Sequence, residues 1–499
     1  MRYLALSILL MPCLALPSGA GSGDYVPNQM CCLLEEGYTI DEVNLRWGTT
    51  TLVAYVEDDL YLLFISGVED LEAFAALMTE DEAVDLAEAN YRVETPEGVR
   101  QMVIAAVGGT WDDYQDQSLT ERIRLDDAHL HSCGANVTVG VLDTGIDPTH
   151  AAFEGRLSDD GFDCVDFDQE PWETANGLDD DQDGLIDEGF GHGTMVAGLV
   201  ALVAPEATIL PVRVLNDEGC GTLFGITKGI MCAISHGADV INMSFGAPTV
   251  MVSIKKKLRV ANVHEAIAVA GAGNRNQEQP PYHPACDSLA FMITALDSLD
   301  VKADFADFNA KVLVAAPGVG VRSAYPGDEW AIGSGCSFAT PLVAGEVALI
   351  LSLSPELDAV EVAERLERGV DPIYHLPENQ AYIDMLGAGR ICLPEALYGL
   401  SAGLPDISSA SAEVRVWPNP STGTFYFRSP HSLQVGEGPR VRVYDTCGRL
   451  IRTIRPAGAR GLLIWEGRDS SGRLVSPGFY WAHMTSDVQA RTIPLTILR

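Results

Sequence analysis

The sequence predicts an α/β protein: a three-layer domain with a mostly parallel central sheet, preceded by a small α+β segment and followed by an all-β sandwich. Three observations carry the prediction. Between about residues 110 and 400, short and nearly continuous apolar runs alternate with helical patterns, as strands buried on both faces of a parallel sheet require. Ahead of them lies an acidic stretch mixing strand-like and helical patterns. Beyond about residue 412 the chain becomes short strands separated by glycine-containing turns.

Taken in order, residues 1–20 read as a secretory signal. Arg2 supplies one positive charge, Leu4 to Leu16 form a mostly apolar run, and Ser18-Gly19-Ala20 offers a small-x-small cleavage site. The run is shorter than the roughly 20 residues a bilayer span needs, and Pro12 interrupts it. No later stretch is read as long and apolar enough to span a membrane, so a soluble exported protein is expected. Residues 24–105 form the acidic segment, with strands at Thr51 to Val56 and Leu60 to Ile65 and a helix over Glu69 to Glu88. Residues 110–400 form the α/β domain, with strands at Val137 to Leu142, Val240 to Met243, Ala266 to Ala270, Phe291 to Ala295 and Val312 to Ala315. Residues 401–412 are a Ser-rich linker, and residues 413–499 the β-sandwich.

Composition narrows the function. Among 499 residues, 32 Lys+Arg face 70 Asp+Glu, a net charge of −38. Phosphate binding needs a basic surface, so nucleic acid is excluded as the expected partner. The excess carboxylates suit an extracellular protein and leave ligands for hard cations such as calcium. Of 11 cysteines, Cys13 would leave with the signal. The remainder contain no C-x-x-C pair, so a zinc site is not expected. Export permits disulfides, whose connectivity stays open.

Four segments carry catalytic chemistry. A hydroxyl attacks an acyl carbon only when a base takes its proton and donors stabilise the resulting oxyanion. VGVLDTGID puts Asp143 at the carboxyl end of a strand, where open α/β sheets hold ligands. GHGTMVAG puts His192 just before a helical run from Thr194 to Val203, and AGAGN puts Asn274 just past another strand. GCSFATP puts Ser337 at the mouth of an apolar helix, Phe338 to Leu353, whose N-terminus favours developing negative charge. Singly, each piece has an ordinary structural reading, helix capping in the case of Ser337. Asp, His, Asn and Ser in that chain order, each at an element's end, are a catalytic constellation.

VLDTGID, GHGTMVAG, INMSFGAP, AGAGN and GCSFATP together resemble the subtilisin-like serine peptidases, over about 290 residues ending near LGAGRICLPEAL. The resemblance implies a serine endopeptidase with Ser337 as nucleophile, His192 as general base then acid, and Asp143 orienting the imidazole. Asn274 and the Ser337 N–H would form the oxyanion hole. It also implies that Ser244, Phe245 and Gly246 dock extended substrate backbone by strand addition, with Gly271, Ala272 and Gly273 opposite. Residues 24–105 occupy the place of an inhibitory propeptide, AVDLAEANYRVE resembling such a segment's end, with processing expected between about residues 100 and 118. Cys336 stands where the family usually has Thr; it reads as a small buried side chain or as a mercury-sensitive thiol.

The remaining signals lie outside the triad. Asp179, Asp181 and Asp183 alternate before Gly184, and Asp187 follows, a spacing that lets oxygens converge on Ca2+ as a structural ion. Phe190 occupies the twelfth position, where an EF-hand has Glu, so this is no EF-hand. VWPNPSTGTF, VRVYDTCGRLIRTI and WEGRDSSGRLVSPGFYW resemble β-sandwich domains appended to bacterial secreted enzymes, both secretion-sorting and flagellar-hook-cap immunoglobulin-like types. Sorting by secretion machinery, surface attachment and spacing stay open for it. Two other readings are a catalytically silent surface-binding protein on the same scaffold and an exopeptidase, although no insertion closing one end of the groove is evident. Substrates would be proteins or peptides.

Overall fold

The computed structural model describes residues 25–95, 106–179, 184–278 and 282–398, and beyond them 415–417, 425–428, 440–445, 449–454, 463–465, 467–485 and 490–497. The expected signal and linker therefore lie outside the described residues. The chain divides into two compact units, residues 1–400 and 401–499.

The first unit is built on a nine-stranded sheet. Its order is Val370–Asp371, Arg390–Ile391, Val312–Pro317, Ala290–Leu296, Ile267–Gly271, Val240–Met243, Thr138–Asp143, Thr208–Arg213 and Phe162–Asp163. All neighbours run parallel except the first pair. The five strands expected in this region are present, shifted by a residue or two at their ends. Val139, Val141, Ile241, Val269 and Val314 are fully buried, so the runs are apolar because both faces of the sheet are covered. Helices His192–Val203 and Cys336–Leu353 pack on each other, as do Leu223–Ser235 and Val252–Val263.

The helix Cys336–Leu353 corrects one expectation. By length and composition it is apolar enough to cross a membrane, yet 89% of that window is buried inside the fold. It is apolar all round because protein surrounds it on every side.

Residues 25–94 form a second sheet, in the order Thr50–Tyr55, Leu60–Phe64, Tyr25–Leu34 and Val84–Glu94, all antiparallel. The helices Ile40–Trp47 and Leu71–Met78 complete it around Met30, Val43, Leu63 and Met78. The helix expected over Glu69 to Glu88 is only partly there. Asp70 caps it by accepting from Ala73 N, and it stops at Met78. Thr79 then turns the chain by accepting from Ala87 N at 3.0 Å, and Val84–Glu94 is a strand. That strand divides its residues between two cores: Ala87 and Ala89 join the core of residues 25–94, whereas Leu86 and Val93 join the larger core. Burial on both faces masked its period of two.

The second unit has two antiparallel sheets among its described residues, one of three strands and one of four. Trp465 of the first lies edge-on to Tyr480 of the second at 5.5 Å, over Val441, Val443, Ala482 and Leu495. This is the sandwich the alternating pattern predicts.

Candidate active site

Asp143 ends the strand Thr138–Asp143, whose neighbour Val240–Met243 lies beside Ile267–Gly271. Asn274 follows that third strand by three residues. Two of the four candidate residues therefore sit beyond the carboxyl ends of strands close together in one sheet. His192 and Ser337 arrive on helices that begin there.

His192 Nδ1 donates to Asp143 Oδ1 at 2.6 Å, with both side chains buried. The same oxygen accepts from Thr144 N at 2.8 Å. The glycines around His192 permit this approach. Gly191 has φ +91°, and a Cβ there would stand 2.0 Å from the Tyr325 ring. A Cβ on Gly193 would lie 2.1 Å from Gly145 O, in the turn after Asp143. Neither space admits a side chain.

Ser337 is held by the strand that precedes the groove. Its Oγ donates to Ser244 O at 3.0 Å, and Ser244 Oγ donates to Ser337 O at 2.9 Å. The second bond answers a local defect. Pro341 has no N–H to give the carbonyl four residues earlier, and Ser244 supplies the missing donor. Asn274 Oδ1 accepts from Cys336 N at 2.9 Å, which fixes its amide plane beside the residue preceding Ser337. Cys336 is fully buried, its thiol donating to Gly273 O at 3.1 Å.

The expected substrate strand is already paired. Glu94 N donates to Gly246 O at 3.3 Å and Gly246 N to Glu94 O at 3.1 Å, an antiparallel bridge. On its other side, Arg92, Val93 and Glu94 pair with Thr222, Gly221 and Cys220, and Thr95 N donates to Gly219 O at 3.0 Å. Residues 92–95 thus form the middle strand between Gly246 and Gly219–Thr222. Because the bridge is antiparallel, the chain runs along Gly246 in the direction of Ser244 and Ser337. Phe245 is buried, and a Cβ on Gly246 would meet the Tyr282 ring at 2.5 Å. Gly271, Ala272 and Gly273 are buried against the turn that carries Cys336, and Gly273 has φ +110°. Sequence reasoning missed Gly219–Thr222 as the second wall; the closely spaced Gly219 and Gly221 were its only signal.

Of the expected cation ligands, Asp181 and Asp183 lie outside the described residues. Asp179 Oδ2 accepts from Gly184 N at 3.1 Å. Asp187 accepts from Gly177 N at 2.9 Å and Asn176 N at 3.1 Å. The Asn176 N–H is shared with Asp217 Oδ2 at 3.0 Å. Burial, with Asp187 beside it, pushes the Asp217 carboxyl up to about 6. Among the described residues no group of three or more His, Cys, Asp or Glu is arranged to hold a metal ion. Nine cysteines lie among the described residues, with Cys31, Cys32, Cys164, Cys232, Cys336 and Cys392 buried.

Comparison with known proteins decides the family. Residues 134–382 match the model of the subtilase family. The chain is 36% identical to subtilisin DY of Bacillus licheniformis over 247 residues, 47% of this chain and 83% of that protein. The chain belongs to the subtilase family. It is a subtilisin-like serine endopeptidase. This subtilase is also 33% identical to thermitase of Thermoactinomyces vulgaris over 250 residues, 48% of this chain and 83% of thermitase. Among solved structures it is similar in fold to fervidolysin of Fervidobacterium pennivorans, a keratinolytic enzyme related to subtilisin. The TM-score is 0.60 at 19% identity, covering 98% of this chain and 78% of the other. The subtilase core thus accounts for about half of the chain, and the segments on either side of it lie beyond the family match.

Proposed function

We propose that this subtilase is an exported endopeptidase, made as a zymogen, that cleaves proteins through an acyl-enzyme on Ser337. The observation that carries the reading is the Asp143–His192 hydrogen bond of 2.6 Å, with the His192 ring 5.6 Å from that of Phe338, the residue after Ser337. In this reading Ser337 Oγ attacks the scissile carbonyl and its proton passes to His192 Nε2. The C–N bond breaks as His192 returns that proton to the leaving amine, and water then hydrolyses the ester by the same route. Asp143 holds the Nδ1–H tautomer and stabilises the imidazolium. Asn274 and the Ser337 N–H stabilise the oxyanion.

The contacts of residues 24–105 support an inhibitory and templating role. Glu88 accepts from Val252 N at 2.8 Å and Ser253 N at 2.7 Å, capping one helix. Asn90 accepts from Phe224 N at 3.0 Å, capping another. Both helices would otherwise leave these N–H groups unpaired. Asp58 pairs with Lys228 at 2.7 Å, whose ammonium lies over the Tyr55 ring. Strand Arg92–Thr95 fills the groove that substrate would use, with Ser244, Phe245 and Gly246 on one wall. The C-terminal unit is read as a sorting or attachment module, and residues 1–20 as the export signal.

The test is a fluorophosphonate probe, with Ser337→Ala as control. Labelling of the wild type at Ser337, rising when residues 24–105 are removed by processing, is the expected result. No labelling after processing would leave the alternative, a silent surface-binding protein.

Calcium is proposed as a structural ion of the Asp179–Asp187 loop, with Asp179, Asp181, Asp183 and Asp187 as ligands. Carboxylates are the oxygen donors a hard cation takes, and Asp187 and Asp217 share a single N–H, so a cation beside them would relieve their repulsion. At a concentration about 100 times its Kd such an ion adds about 2.7 kcal/mol. Chelation is therefore expected to lower the Tm by several degrees, restored by Ca2+; an unchanged Tm refutes the site.

A further inference from the structure

Glu173 lies between Asp143 and His192, and no motif marks it. Its backbone is fixed to the turn after Asp143: Ile146 N donates to Pro171 O at 3.2 Å, and Glu173 N to Ile146 O at 3.1 Å. Its carboxylate then meets four donors. Oε1 receives Thr144 Oγ1 at 2.5 Å and Gly191 N at 2.7 Å. Oε2 receives Thr194 N at 3.2 Å and, in a short contact, Thr194 Oγ1.

The other partners of the two hydroxyls are donors, which leaves each hydroxyl proton available to the carboxylate. Thr144 Oγ1 accepts from Gly193 N at 2.9 Å, and Thr194 Oγ1 accepts from Asp147 N at 2.9 Å. Each hydroxyl has one proton to give, and in each case it goes to Glu173. Four donors thus fill the roughly four lone-pair sites of one carboxylate. Thr144 follows Asp143 directly, while Gly191 and Thr194 flank His192.

We propose that Glu173 is a positioning residue of this active site, tying the end of the Asp143 strand to the first turn of the His192 helix and so setting the Asp143–His192 hydrogen bond. No amide can replace it, because one end of a Gln would present N–H groups to two donors. The ionisable groups around it are Asp143, His192 and Tyr325. Burial, followed by the charge of Glu173, raises the Tyr325 phenol. Burial, with Asp143 adding to it, pushes the Glu173 carboxyl up to about 7 against the pull of its donors.

The inference rests on the roles proposed for Asp143 and His192. Labelling of the wild type at Ser337 tests that reading, whereas the ratio of variant to wild type tests this one. Rates are measured on a peptide substrate and normalised to active sites titrated with the fluorophosphonate. Glu173→Gln is expected to lower kcat roughly 10–100-fold, with KM within about twofold, because alignment rather than binding is lost. The acid limb of kcat/KM should also move to lower pH, since the imidazolium loses an anionic neighbour. Unchanged kcat overturns the proposal, and so does a loss of kcat with the acid limb in place. Should Glu173→Gln not fold, Thr194→Val and Thr194→Ser decide. A loss in the valine variant that serine restores supports the proposal; equal rates for the two overturn it.

Discussion

Replacing Asn274 by Ala is expected to lower kcat by about 10²–10³, equivalent to about 2.7–4 kcal/mol, with KM little changed. The magnitude is one established for an oxyanion donor in a subtilisin, not one obtained from this chain. In the proposed role, the amide would be ready before substrate arrives. Asn274 is buried, and its Oδ1 is anchored by Cys336 N at 2.9 Å, one residue before Ser337. No reorientation is needed as charge develops, so the interaction strengthens only in the transition state. The alanine variant also strips Cys336 N of its acceptor, so a loss of stability of about 1–3 kcal/mol should accompany the kinetic loss. Steady-state kinetics on a peptide substrate checks the first effect, and an unchanged kcat removes Asn274 from the oxyanion hole. Ser337→Ala, by contrast, should abolish covalent labelling altogether.

The second large effect concerns stability. Glu346 lies nine residues beyond Ser337 on the helix Cys336–Leu353, fully buried. Neither of its carboxyl oxygens finds a hydrogen-bond partner among the described residues. Burial raises its pKa well above the ordinary carboxylate value. A folded pKa above the unfolded one means that the favourable state is complete below the unfolded pKa of about 4.3 and is lost as pH rises toward the folded value. Glu346→Met keeps the length of the side chain and removes the unsatisfied oxygens. It is expected to stabilise the fold by about 1–3 kcal/mol, raising Tm about 2–4 °C per kcal/mol. The gain should be larger at pH 8 than at pH 5. Melting curves in the Ser337→Ala background, where autolysis is excluded, test this. A lower Tm for Glu346→Met, or the same gain at both pH values, would show that Glu346 is satisfied in the core.

Much of the fold was legible because its signals are local. The apolar runs at Val240–Met243 and Val312–Ala315 fit strands buried on two faces, and the structure makes them so. The start of the strand Val84–Glu94, up to Glu88, was misread as helix for the opposite reason. One face serves its own sheet and the other serves the helices beyond Asn90 and Glu88, so neither face looks solvent-exposed in the sequence. The wall Gly219–Thr222 escaped notice because pairing with a separate segment defines it, and three residues carry no period of their own. Glu173 escaped for a similar reason. An acid among many acids is ordinary until four donors from two other segments converge on it.

By itself, then, the sequence determined the sheet, the order of Asp143, His192, Asn274 and Ser337, and the ends of the elements on which they stand. Those depend on residues adjacent in the chain: an apolar run, a glycine pair beside a histidine, a serine opening a helix. Only the tertiary structure decided what fills the groove, how Ser244 replaces the bond that Pro341 forfeits, and which carboxylate braces the His192 turn. Each of these joins segments tens of residues apart, and hydrogen-bond geometry over such separations is set by how the sheet and its helices pack.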